Sequence, residues 1–150
     1  MCLVYNPLTD ELDYKLIEKQ MIETSPVKMI KPLKALIMTD RVFGGAFGLY
    51  RFLTNCADIN AKITCDFNNA KKLISYIEYD ILIFVEYLSN KNNYDIIKYY
   101  KQSSSNPKII MFANIDDIIK SECKRYEIEY MFNRYNNMAE FLKYINDIIG

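Results

Sequence analysis

Two short runs without a polar side chain, Ile81–Val85 and Ile109–Ala113, constrain this chain more than any other feature. Each is far below the ~18–20 apolar residues needed to cross a bilayer. A run with no polar face cannot lie half-exposed on a surface, so both suit strands covered on two sides, as in the middle of a parallel sheet. Asp80 and Glu86 bound the first run, and Pro107 precedes the second, whose strand is read from Lys108.

Around these runs, apolar spacing alternates between strand and helix. Ala35–Met38 reads as a first strand, and Phe47–Cys56 carries Phe47, Leu49, Tyr50 and Leu53 at helical spacing. Ala61–Cys65 alternates apolar with polar and contains β-branched Ile63 and Thr64, a strand signal. Asn69–Tyr79, Tyr94–Tyr100 and Ile115–Arg125 are helical stripes, the last opening on Asp116 and Asp117 and closing on Lys124 and Arg125 in keeping with the helix dipole. Glu129–Phe132 reads as a short strand, and Met138–Ile149 as a terminal helix with Gly150 behind it. Five strand–helix units in a row predict an α/β, flavodoxin-like, doubly wound five-stranded parallel sheet of order 2-1-3-4-5. The ligand site of such a sheet lies at the carboxyl ends of the strands, here near Thr39–Asp40, Glu86–Tyr87, Ala113–Asn114 and Asn133–Arg134.

Residues 1–33 stand apart as an N-terminal helical extension before a domain spanning 34–150. Thr9 and Asp10 suit a helix start, Leu12, Leu16, Ile17 and Met21 share one face, and the helix is expected over about 10–23. Pro26 and Pro32 follow it.

Composition narrows the chemistry. With 150 residues, the chain is long enough for one domain to bury its own core without a metal or disulfide staple. Nineteen basic residues cancel nineteen acidic ones, so no global field recruits nucleic acid or an anionic membrane, and neither is expected as a partner. The chain has no His, which removes His-based triads and His metal sites. Cys2, Cys56, Cys65 and Cys123 show no metal or redox spacing and are expected as reduced thiols. Met1–Pro7 lacks a basic region leading into an apolar stretch, so no signal peptide is expected and the reading is cytoplasmic. Cys65 with Asp66, or Ser103–Ser105, could only be a nucleophile if a base stood nearby, and none is evident, so no enzyme is expected.

The strings "KALIMTD", "YDILIFVEY", "NPKIIMFAN" and "YEIEYMFNRY" resemble the first, third, fourth and fifth strands of the receiver domain of two-component response regulators, the phosphorelay switch. The resemblance covers about residues 34–150. It implies a site with two acids holding Mg²⁺, a phosphorylated Asp, a Thr or Ser, and a Lys. Carried onto this chain, the set is mostly replaced. Thr39 takes one acid position and Asp40 alone remains to hold Mg²⁺, so any metal binding would be weak and no cofactor is expected. Val85 or Glu86 falls at the acceptor position, Phe112 or Ala113 at the hydroxyl position, and Asn133 at the Lys position with Arg134 beside it. The resemblance therefore implies a degenerate pseudo-receiver that signals by contact with a protein partner or as a homodimer, without aspartyl phosphorylation.

Two further features carry candidate roles. Gly44, Gly45 and Gly48 follow the first strand and could let backbone N–H groups approach a phosphate, the basis of an alternative reading as a flavin- or nucleotide-binding domain. Thirteen Tyr with no Trp is an unusual aromatic profile, and Tyr126, Tyr130, Tyr135 and Tyr144 are the candidate partner surface.

Overall fold

The computed structural model describes residues 32–40, 45–86 and 91–150. The helix expected over about 10–23 lies outside them, as do Gly44 and Cys2. Among the described residues, five strands, β1 (Lys34–Thr39), β2 (Asn60–Thr64), β3 (Ile81–Val85), β4 (Ile109–Ala113) and β5 (Tyr130–Asn133), alternate with five helices. The helices are α1 (Gly45–Asn55), α2 (Phe67–Tyr76), α3 (Lys91–Ser103), α4 (Asp117–Arg125) and α5 (Met138–Ile149). All strand pairs are parallel, in the order β2-β1-β3-β4-β5 that the alternation predicts.

The two apolar runs are β3 and β4, and every residue in both is buried. Period-two alternation splits them between two cores. Ile81, Ile83 and Val85 face α1 and α5, where Leu49, Phe52, Phe141 and Ile145 pack. Leu82 and Phe84 face α2, α3 and α4, where Ile74, Ile96, Tyr100 and Ile119 pack. Within the first core Phe141 lies 4.9 Å from both Phe112 and Phe132, measured between ring centroids.

Local chemistry sets the helix ends. The carboxylates of Asp66 and Asp116 and the amide of Asn137 accept from backbone N–H groups in the first turns of α2, α4 and α5, relieving donors that have no partner within the helix. Asp58 and Glu127 follow α1 and α4 at positive φ, where the chain turns out of the helix. The Ile59 and Ile128 N–H groups then reach back to the Leu53 and Cys123 carbonyls. Pattern reading misplaces some ends by two or three residues: α3 runs a turn further at both ends than the Tyr94–Tyr100 stripe, and α2 stops at Tyr76 rather than Tyr79. Tyr79 instead enters the core ahead of β3, and its carbonyl accepts from the Tyr100 hydroxyl at 2.8 Å. Burial pushes that hydroxyl's pKa up to about 12.

Cys56 and Cys123 are not in a disulfide, whereas Cys65 is disulfide-bonded. The expectation of a reduced thiol is therefore corrected at Cys65, which also takes no nucleophile's role. Burial, with Glu122 adding to it, raises Cys123 to about 11.

Candidate functional site

The register places Thr39 beside Val85, Val85 beside Phe112, and Ala113 beside Asn133, so these strand ends form one rim. Val85 turns inward to the core shared with α1 and α5. The side chain that reaches the rim is that of Glu86, one residue beyond β3. Its N–H donates to the Phe112 carbonyl at 3.1 Å, and its backbone takes φ 79°, a conformation that costs a non-glycine residue energy.

Across the end of β4, the Arg134 N–H donates to the Ala113 carbonyl at 2.9 Å, which fixes the start of the β5–α5 connection. The Asn133 side chain accepts from the Tyr135 N–H at 3.1 Å and closes a tight turn at the same point. The turn aims Arg134 back over the rim, where its Nη1 donates to Oε1 of Glu86 in an ion pair. The guanidinium also lies 5.6 Å from the centroid of the Tyr135 ring. On its other flank is Gly45, the first residue of α1: a Cβ built there would fall 2.9 Å from Nη2 of Arg134. Glycine at 45 is thus the seat of an arginine.

The remaining candidates fall around this pair. Asp40 is exposed, Thr39 half-buried, and Ala113 buried without a hydroxyl. Among the described residues, no three Asp, Glu or Cys side chains gather into a metal-binding group. Gly48 is buried inside α1. Of Val85 and Glu86, and of Asn133 and Arg134, the second of each is the one whose side chain meets the other across the rim. Sequence spacing missed the part played by Gly45. The only available signal was a glycine at a helix start opposite an arginine whose direction was unknown.

The four candidate tyrosines do not form one patch. Tyr130 and Tyr144 meet edge to face at 6.4 Å beside Phe132, on the α5 side of the sheet, and burial raises the Tyr144 pKa. Tyr126 is buried in the core on the opposite side, 5.5 Å from Tyr94. Tyr135 is 72% exposed beside Arg134.

No protein-family model matches the chain, and no curated protein matches it in sequence. Solved structures do match its fold. The receiver domain of the Francisella response regulator 1452 superimposes with a TM-score of 0.55 at 15% identity, over 78% of this chain and 96% of that one. The signal receiver domain of an HD domain-containing protein from Pseudomonas fluorescens Pf-5 gives 0.62 at 13% identity, over 83% and 93%. A structure described as an adenylate cyclase from Rhodopirellula baltica gives 0.58 at 13%, over 79% and 88%. The chain therefore has the α/β fold of response-regulator receiver domains. Among the described residues, no helix is long and apolar enough to cross a membrane.

Proposed function

We propose that this domain is a receiver-like signalling module that acts through protein contact and does not accept a phosphoryl group on an aspartate. The supporting observation is the Glu86–Arg134 ion pair, which stands at the strand ends where the receiver resemblance calls for an acceptor Asp and a Lys. A carboxylate already paired with a guanidinium supplies charge neutralisation within the chain, without the Mg²⁺ and phosphoryl group that would otherwise create it. Asp40 alone is a poor site for a hard divalent cation, which prefers several oxygen ligands. Glu86 acts as a fixed negative charge and Arg134 as its clamp, so the domain stays in one state of the switch. It acts as a binding partner rather than as an enzyme.

The flavin or nucleotide alternative has less support, because Arg134 covers Gly45 at the start of α1. The test is an amide NMR titration with Mg²⁺ and then beryllofluoride, a phosphoryl mimic. A folded spectrum that stays unmoved is expected. Saturable shifts centred on Asp40, Glu86 and Arg134 would overturn the proposal.

A further inference from the structure

The helices on the two sides of the sheet differ in charge. α2, α3 and α4 together carry eight basic residues against three acidic ones, whereas α1 and α5 carry two against two. The imbalance is local, since the whole chain has no net charge. Most flanking acids are already engaged: Asp66 and Asp116 cap helices, and Glu127 lies 3.8 Å from Lys101.

Among the described residues, three of the exposed cations in this layer rest on tyrosine rings rather than on carboxylates. Lys71 of α2 lies 5.3 Å from the centroid of Tyr99 on α3, joining two helices. Lys98 lies 5.6 Å from Tyr94, and Arg125 lies 5.7 Å from Tyr126. Tyr94 and Tyr126 touch, so the seam continues from α3 to α4. Rings beneath these side chains limit their freedom without neutralising them. An apolar contact stands alongside: Ile118 is 70% exposed, two turns from Arg125 on α4.

We propose that the outer layer of α2, α3 and α4 docks a carboxylate-rich face of a partner protein. Tyrosine and arginine with adjacent apolar surface are the side chains that dominate protein interfaces, and uncompensated cations select an acidic partner and speed its approach. A nucleic acid is disfavoured, because the chain as a whole has no net positive charge to recruit a phosphate backbone. The inference rests on the reading of the domain as a contact module, and it does not depend on the Glu86–Arg134 pair.

The test is an NMR titration of the full chain with a short oligoglutamate peptide, and in parallel with a DNA duplex of equal total charge. Two triple variants accompany it. Lys71→Gln, Lys98→Gln and Arg125→Gln strip the seam. Lys34→Gln, Lys62→Gln and Lys143→Gln remove the same charge from other exposed positions. Saturable shifts at Tyr94, Lys98, Tyr99 and Tyr126 are expected, with peptide affinity about tenfold weaker in the seam variant and little changed in the control. The proposal is overturned by an absence of saturable shifts, by equal weakening in both variants, or by tighter binding of the duplex. None of these outcomes moves the beryllofluoride response at Glu86 and Arg134, so the two readings fail separately.

Discussion

Glu86 is the residue at which backbone strain and ion pairing oppose each other, and replacing it separates the two. Its φ of 79° puts a side-chain-bearing residue in the left-handed region. That conformation costs about 1–2 kcal/mol for a residue with a Cβ and nothing comparable for glycine. The ion pair it makes is partly exposed, 39% at Glu86 and 25% at Arg134, so solvent screening holds its contribution to about 0–1 kcal/mol. Glu86→Ala keeps the strain and loses the pair, and should destabilise by about 0–1 kcal/mol. Glu86→Gly loses the same pair but relieves the strain, against about 0.4–1 kcal/mol of extra chain entropy in the unfolded state. Glycine should therefore be more stable than alanine at this position by about 0.5–1 kcal/mol, the reverse of their usual order. Urea unfolding followed by circular dichroism would show this as a midpoint about 0.2–0.5 M higher for the glycine variant, with equal slopes. If alanine equals or exceeds glycine, Glu86 does not occupy the left-handed region, and its aim toward Arg134 needs another explanation.

Further outcomes follow from the same geometry. Gly45→Ala should push the Arg134 guanidinium away from α1, seen as NMR shifts at Arg134 and Glu86 with little net change in stability, because the clash falls on the far end of a flexible side chain; an unmoved Arg134 signal would refute the close packing. Phe141→Ala, at a fully buried position between Phe112 and Phe132, should cost about 3–5 kcal/mol by chemical denaturation, and a loss below about 1 kcal/mol would contradict that packing. Stability should begin to fall as pH rises past 9.0, the ordinary value for Cys123, and fall further between 10.0 and about 12. Unfolded Tyr100 ionises near its ordinary value of 10.0, whereas the folded residue holds its proton to about 12, and Tyr79, Tyr144 and Cys123 shift in the same direction. Urea midpoints at pH 9 and pH 11 check this, and equal values would remove the role of the buried hydroxyls.

The sheet was legible because its signal is local. Uninterrupted apolar runs such as ILIFV have one stable placement, and the charges flanking Ile115–Arg125 mark the ends of a helix directly. The site was legible only as an ambiguity of one residue at 85–86 and at 133–134. Which of two neighbours faces the rim depends on where a strand stops and how the chain turns, and both are settled by partners distant in sequence. Tyr94 and Lys98 stand four apart on one helix, so their contact could be read from spacing. The contact of Lys71 with Tyr99 could not, because it depends on how α2 lies against α3.

The division of the interior into two cores has a consequence of its own. Side chains from β3 and β4 leave alternately to opposite sides, and among the described residues the two cores are separated by the backbone of the sheet. Changes beneath α1 and α5 should then leave packing beneath α2, α3 and α4 undisturbed, with their energetic effects adding independently. A lineage carrying this domain could remodel one outer surface for a new contact while the strand-end pair and the far core keep their existing fit.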